Sequence, residues 1–334
     1  MNGGMELYLH MPFCVRKCAY CDFLSFPTDQ ETQNLYTRRL REDIDAMGKK
    51  YGDIPVDTIF IGGGTPSVPD SALIVGIMEH VRKAFHVAEG AEISMEANPG
   101  TVTREKLTDY RRAGINRLSF GLQSANDREL KLLGRIHTWA EFLESFHLAR
   151  ECGFTNINID LMSALPGQTR ESWKDTLKRV TDLNPEHISA YSLIIEDGTP
   201  FGEKYGSEEG RKLLPDEDSE REMYHETKRF LRDCGYERYE ISNYAKPGRA
   251  CRHNIGYWTG LPYLGLGLGA SSYMDGCRFA VNSDMKQYLE EKPGMFTDVE
   301  KLTKKDMEED FFYVGLRMTA GVSLPEFERR FGVS

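Results

Sequence analysis

The sequence predicts an α/β protein, in which a parallel sheet curls into a full or partial barrel and a smaller α+β region follows. Three observations predict this fold. Six short β-prone runs alternate with helical patterns over the first two thirds of the 334 residues. Hydrophobic residues make up 40% of the chain, which is enough for a sizeable core. Distinctive polar motifs follow the ends of the runs, where barrels of this class carry their sites.

The strand candidates are short runs that contain β-branched or aromatic residues and end in Gly, Pro or polar residues. In chain order they cover residues 6–10, 57–61, 92–96, 117–121, 156–162 and 187–193. The segments between them have helical patterns. The clearest is 140–152, where Thr138 and Glu141 form a capping box and Gly153 ends the helix. Six such alternations indicate a parallel sheet that curls towards a barrel.

The pattern changes after residue 200, so we divide the chain into a barrel at 1–200 and a C-terminal α+β region at 201–334. Charged, Gly and Pro residues at 206–218 indicate a linker or surface loop. Residues 222–234 and 303–318 are predicted helices, and the stretch from 236 to 282 is predicted to form short strands. A further helix begins at 324, close to the chain end, so we expect a C-terminal piece to be missing.

Composition narrows the function classes. The net charge of −10 argues against a general nucleic-acid binder, which needs excess Lys and Arg to neutralise phosphates. The first residues, MNGGMELYLHMPFC, contain no charged segment followed by an apolar run, so no signal peptide is expected. No stretch approaches the roughly 20 apolar residues of a membrane span. We therefore expect a cytoplasmic protein.

Three of the seven cysteines, Cys14, Cys18 and Cys21, form a tight cluster directly after the first strand. In a reducing compartment such a cluster indicates a metal or redox site rather than disulfides. A [4Fe–4S] cubane normally takes four thiolates, so three thiolates from one loop would leave one iron open to a ligand. A zinc site with His10 as fourth ligand is the alternative. Three unliganded buried thiols are another.

Polar motifs at four further strand ends point towards the same edge of the predicted barrel. A glycine-rich segment at 62–66 follows the second strand, and Glu96 ends the third. Gln123 follows the fourth strand, and Asp160 lies late in the fifth. Because parallel strands present their carboxyl ends at one rim, these motifs predict a single site together with the cysteines.

The segment 8–14 (YLHMPFC), Cys18-Ala-Tyr-Cys21 and Gly62–Pro66 together resemble the radical S-adenosylmethionine (SAM) superfamily, and within it the oxygen-independent coproporphyrinogen III oxidase family. The resemblance implies a partial (β/α)6 TIM-like barrel of the radical SAM type. It also implies that the three cysteines ligate a [4Fe–4S] cluster. The residues that it implies for binding SAM are Tyr8, Tyr20, Gly63, Gly64, Thr65, Glu96, Gln123, Arg135 and Asp160.

Two features are similar to a heme chaperone branch of that family rather than to the oxidase itself. Phe23 stands where the oxidase pattern has a fourth cysteine, and residues 253–258 (HNIGYW) match the His-Asn-x-x-Tyr-Trp signature of the branch. His253 offers an imidazole that can ligate heme iron, although a histidine packed among aromatic residues is equally compatible with the pattern.

The resemblance therefore implies a protein that binds the cluster, SAM and heme, and passes heme to an acceptor protein. Its partners would be heme or a porphyrin, the heme-accepting protein and an electron donor such as flavodoxin or ferredoxin. The alternative is a coproporphyrinogen III oxidase or another radical SAM enzyme acting on a porphyrin-like substrate. Whether the protein is an enzyme stays open, and the sequence assigns no catalytic residue.

Overall fold

The computed structural model describes residues 4–332. Six parallel strands form the centre of the sheet, and each lies where the sequence predicts a strand. They are β1 (Met5–Met11), β2 (Val56–Gly63), β3 (Val87–Ala97), β4 (Arg117–Gln123), β5 (Ile157–Ser163) and β6 (His187–Ser192). The helices that alternate with them are α1 (Gln30–Tyr51), α2 (Ser71–Ala84), α3 (Arg104–Arg112), α4 (Asp127–Leu133), α5 (Trp139–Glu151) and α6 (Arg170–Asp182). The predicted capping box of α5 is present.

The rest of the chain extends the same sheet at both edges. Its elements are α7 (Pro200–Tyr205), α8 (Glu208–Arg211), α9 (Glu217–Asp233), β7 (Glu237–Arg238), β8 (Asn243–Ala245), α10 (Arg252–Thr259), β9 (Tyr263–Leu266), β10 (Ser271–Met274), β11 (Cys277–Ala280), α11 (Met285–Glu290), β12 (Thr297–Lys301), α12 (Lys304–Gly315) and α13 (Leu324–Phe331). The strand order is β12-β11-β10-β9-β1-β2-β3-β4-β5-β6-β8-β7, so β6 does not close onto β1. The barrel is therefore partial, as predicted.

Two predictions for the C-terminal region are wrong. The segment 206–218 is not a plain loop, because α8 and the start of α9 lie in it. The segment 252–259 is helix α10 rather than a strand. The division at residue 200 stays a prediction.

The central strands carry apolar and polar residues on opposite faces. On β1 the buried Leu7 and Leu9 alternate with Glu6, Tyr8 and His10. Because residues two apart share a face of a strand, the apolar set packs on one side of the sheet and the polar set on the other. The same alternation recurs along the other strands, with Thr58, Glu92, Ser94, Arg117, Ser119, Asn158 and His187 buried. A polar interior results, and it contains the candidate site.

Candidate functional site

The three clustered cysteines open onto one cavity of about 330 Å³. Cys14, Cys18 and Cys21 are free thiols and are all partly exposed. Backbone hydrogen bonds hold their loop: Cys14 N–H donates to the Phe26 carbonyl at 3.1 Å, and Ala19 N–H donates to the Leu133 carbonyl at 3.0 Å. The loop therefore presents its thiols from a fixed backbone without using them for packing.

A chain of polar contacts joins two of these thiols across the cavity. Cys14 Sγ lies 3.6 Å from Thr65 Oγ1, and Arg135 Nη1 donates to Cys18 Sγ at 3.6 Å. Asn98 links the two ends, because its Nδ2 donates to Thr65 Oγ1 at 2.8 Å and its Oδ1 accepts from Arg135 Nη2 at 2.6 Å. The sequence gives no role to Asn98. Its position two residues after Glu96, beyond the same strand end, was the only available signal.

The glycine loop after β2 lies directly on the cysteine segment. Gly64 N–H donates to the Met11 carbonyl at 2.8 Å, and Thr65 N–H donates to the Phe13 carbonyl at 2.6 Å. A Cβ on Gly64 would come within 2.8 Å of these two carbonyl oxygens. Gly63 has φ +108° and donates its N–H to Glu96 Oε2 at 3.0 Å. The absence of side chains therefore allows the two loops to touch.

Gly64→Ala is expected to destabilise the fold by about 1–3 kcal/mol, since backbone atoms cannot yield as a flexible side chain can. Gly76→Ala in α2 is the matched control, because the new Cβ would meet only the Arg41 guanidinium at 3.4 Å. Alanine also favours a helix by up to about 1 kcal/mol. Urea unfolding of both variants measures the difference. Equal stability of the two would contradict the close-contact explanation.

Two carboxyl groups that are largely shielded from solvent line the cavity together with the cysteines. Burial, followed by the nearby Asp160, raises the pKa of Glu96 to about 8. Burial also raises the pKa of Asp160, although Ser119 Oγ and Asn158 Nδ2 donate to it at 3.1 and 2.7 Å. A ligand with positive charge would favour the ionised form of both groups. The cavity is therefore suited to a cationic ligand.

Gln123 and Tyr191 complete the wall on the β4–β6 side. Gln123 has φ +73°, a left-handed conformation that is unusual outside glycine and that clusters at functional sites. Tyr191 OH donates to Gln123 Oε1 at 3.0 Å and lines the same cavity. Tyr191 is a second residue to which the sequence assigns no role. Tyr20 and Arg135, both predicted, also line the cavity.

Tyr8 and His253 are the two predicted site residues that do not line this cavity. Tyr8 borders a second cavity and makes a 3.0 Å hydrogen bond from its OH to His10 Nδ1. His253 is 1% exposed, and both its ring nitrogens have partners: Nδ1 lies 2.7 Å from Thr58 Oγ1, and Nε2 lies 3.0 Å from Tyr257 OH. In this conformation His253 is closed off from a ligand.

The geometry of the thiols favours a cluster over a single zinc ion. His10, the fourth ligand in the zinc alternative, has both nitrogens engaged, since Nε2 lies 2.9 Å from the Leu24 carbonyl. In residues 4–332, no three His, Cys, Asp or Glu side chains are close enough to hold one metal ion. A cubane distributes its thiolates over separate irons, so they need not meet at one point. The three thiols and the cavity beside them therefore fit a cluster with an open iron.

Comparison with known proteins agrees with this geometry. Residues 8–180 match the model of the radical SAM superfamily. The chain is 37% identical to the heme chaperone HemW of Bacillus subtilis (strain 168), over 98% of this chain and 87% of the relative. It is 42% identical to the heme chaperone HemW of Escherichia coli (strain K12), over 80% of this chain and 69% of the relative.

The structure is also similar to a solved one. The E. coli coproporphyrinogen III oxidase HemN, a radical SAM enzyme, superposes with a TM-score of 0.85 at 27% identity, covering 99% of this chain and 79% of that one. None of the helices in the described part of the chain has the length and apolar character that crossing a bilayer demands. The superfamily match, the HemW relatives and the shared fold lead to one assignment: the chain belongs to the radical SAM superfamily and, within it, to the heme chaperone HemW family.

Proposed function

We propose that the protein is a heme chaperone that holds a [4Fe–4S] cluster, binds SAM beside it and transfers heme to an acceptor protein. The observation that carries this proposal is one loop with three free thiols facing a cavity lined by buried carboxyl groups. Membership of the HemW family supports the heme function.

The residues around the cavity would each contribute to holding the cofactors. Cys14, Cys18 and Cys21 would ligate three irons, and SAM would take the fourth. When bound, the cluster and SAM supply one-electron chemistry at the sulfonium. The roles of the other residues are to orient and enclose SAM, with backbone groups from Gly63, Gly64 and Thr65 and side chains from Tyr20, Glu96, Gln123, Arg135 and Asp160. Tyr8 lies behind this wall and would support it.

The carboxyl group of Glu96 is suited to the positively charged part of SAM. In the protein without ligand, burial holds its pKa near 8, so the neutral acid dominates at pH 7. A bound ammonium or sulfonium would lower that pKa and release a proton. SAM binding would therefore tighten as the pH rises towards 8.

Asn98→Ala is expected to lower the reduction potential of the cluster. Asn98 positions both Thr65 at Cys14 and Arg135 at Cys18, and hydrogen bonds to ligating thiolates raise the potential. Losing the equivalent of one such bond shifts a one-electron couple by on the order of 60 mV. An anaerobic redox titration followed by EPR measures the shift. Asn34→Ala, on the exposed face of α1, is the control, and an unchanged potential in Asn98→Ala would contradict this role.

An electron donor such as flavodoxin or ferredoxin would approach at the cysteine loop. Val15, Arg16 and Lys17 are exposed between the first two cysteines, and Val15 is 56% exposed. The apolar Val15 side chain and the positively charged Arg16 and Lys17 beside it form a surface that is complementary to an acidic electron-carrier protein. We propose this loop as the docking point for the donor.

Hemin titration of the anaerobically reconstituted protein tests the proposed function. We expect iron and sulfide in the reconstituted protein, a Soret band on adding hemin, and loss of that band on adding an apo-acceptor that gains heme. A parallel assay should find no coproporphyrinogen decarboxylation. Decarboxylation by the reconstituted protein would instead support the oxidase alternative, and failure to bind hemin would refute the chaperone function.

A further inference from the structure

A second cavity, of about 1,100 Å³, is lined mainly by residues of β9, β10, α12 and α13. Its walls are rich in aromatic rings. Tyr257 packs edge-on against Tyr263 at 4.7 Å between centroids, and Tyr263 lies 6.4 Å from Tyr273. Phe311 and Phe331, 6.0 Å apart, line the opposite side.

The α13 end of this cavity carries positive charge. Arg329 and Arg330 both pair with Glu326 at 2.6 Å, so one carboxylate faces two guanidinium groups. Arg330 also lies 5.5 Å over the Phe311 ring and donates to the Thr259 carbonyl at 2.9 Å, which ties α13 to the end of α10. Flat apolar walls with a cationic end suit a planar ring system that bears carboxylates.

The imidazole of His253 lies one side chain behind this cavity. With Thr58 Oγ1 donating to Glu6 Oε1 at 3.1 Å, this oxygen accepts from His253 Nδ1 at 2.7 Å. His253 therefore carries its proton on Nδ1, and its Nε2 holds a lone pair. This lone pair accepts from Tyr257 OH at 3.0 Å, and Tyr257 borders the cavity. A neutral histidine held by a second partner is how proteins prepare an imidazole for a metal.

Two aromatic rings separate this cavity from the cysteine cavity. Tyr8 lines the aromatic cavity and stacks on Phe60, with centroids 6.4 Å apart and planes at 23°. Phe60 lines the cysteine cavity. A molecule in the aromatic cavity would therefore be close to the cofactors but screened from them, as suits cargo that must leave unaltered.

We propose that the aromatic cavity is the heme site and that Tyr257 covers the iron-ligating Nε2 of His253 until heme arrives. This inference rests on the proposed heme function and assigns its location. Heme would bind with its propionates towards Arg329 and Arg330. Turning the Tyr257 side chain aside would then expose Nε2 to the iron, while Glu6 and Thr58 keep the proton on Nδ1.

Blocking the cavity tests its location. Ser271 is exposed and lines the cavity, so Ser271→Trp fills it without removing a core side chain. We expect this variant of the reconstituted protein to bind both hemin and metal-free protoporphyrin IX at least about tenfold more weakly, because both need the aromatic walls. Tyr313→Ala, which removes a ring that is 82% exposed and outside the cavity, should leave both affinities unchanged.

Two further variants test whether the Tyr257 hydroxyl covers Nε2 of His253 and whether Thr58 holds the proton on Nδ1. Tyr257→Phe removes the hydroxyl that occupies Nε2, so low-spin hemin should form about fivefold faster than in the wild type. Thr58→Val should reduce the low-spin signal, and Thr58→Ser, which keeps the hydroxyl, should restore it. Absorption and EPR spectra report both, and circular dichroism checks folding.

The outcomes separate the two proposals. If wild-type protein binds no hemin, the proposed function fails, and this inference fails with it. If hemin binds and Ser271→Trp binds it as tightly as the wild type, heme lies elsewhere and only the cavity assignment is overturned. If Ser271→Trp weakens binding but neither Tyr257→Phe nor Thr58→Val alters the low-spin signal, the role of His253 in this cavity is overturned.

Discussion

Cys18→Ser is expected to leave the chain folded but unable to retain an iron–sulfur cluster. Serine cannot supply the thiolate, and a loop with two thiolates no longer holds the cubane by three of its irons. We expect the iron content to fall from about four per chain towards zero. Cys14→Ser and Cys21→Ser should behave alike, since all three thiols line the same cavity. Metal and sulfide analysis after anaerobic reconstitution measures the loss.

Loss of iron through misfolding can be distinguished from loss of a ligand. The three thiols are partly exposed and form no disulfide, so each serine variant should unfold within about 0.5 kcal/mol of the wild type when both lack the cluster. Cys234→Ser is the matched control, because that thiol is exposed at the end of α9, outside the cavity. Retention of iron by Cys18→Ser, or its loss from Cys234→Ser, would contradict the assignment of the cluster.

The barrel could be predicted because each of its strands and helices is determined by residues within its own short segment of sequence. Each central strand is a short β-prone run with turn residues after it, and each helix between strands has its own periodicity and caps. The capping box of Thr138 and Glu141 is one example. The start of α9 was also available locally: Asp216 accepts from Ser219 N–H at 2.8 Å, and three acidic residues follow in the first turn. That acidic run is a helix N-terminus rather than a loop.

Helix α10 could not be predicted, because a distant residue caps it. Cys251 offers no side-chain cap, and Tyr257 and Trp258 favour a strand. The first helical N–H groups, of Arg252 and His253, donate instead to Glu92 Oε1 at 3.0 and 3.3 Å. Tertiary contact with β3 thus overrides local propensity.

In the site, too, residues within sequence motifs could be predicted, whereas residues that contact them from distant parts of the chain could not. Motif positions such as Gly64, Glu96 and Arg135 were found because strand ends converge at one rim. Asn98 and Tyr191 were missed, since nothing in the sequence reveals which side chains bond to a motif residue across the cavity. The closed state of His253 was equally inaccessible, because its partner Thr58 lies 195 residues away.

The contribution that two buried carboxyl groups make to the stability of the cluster-free protein is expected to fall as the pH rises from about 5 to 9. Glu6 is 1% exposed, and burial raises its pKa from the ordinary value of 4.5 to about 8. Between these values the folded chain keeps a proton that the unfolded chain has lost, so each step up in pH favours unfolding. Glu96 has the same displacement and the same sign. Together the two groups lower the free energy of unfolding by on the order of several kcal/mol, and this loss is complete above about pH 8.

Glu6→Gln is expected to remove its share of this pH dependence and to be more stable than the wild type at pH 9, by about 2 kcal/mol or more. A neutral amide accepts the Thr58 hydroxyl hydrogen bond as the carboxyl group does, and it never acquires a buried charge near Glu92 and Asp57. At pH 5 both forms are neutral, so their melting temperatures should nearly coincide. Thermal unfolding of both proteins at pH 5, 7 and 9 under reductant provides the test. A constant difference across the three pH values would show that Glu6 does not titrate in this window.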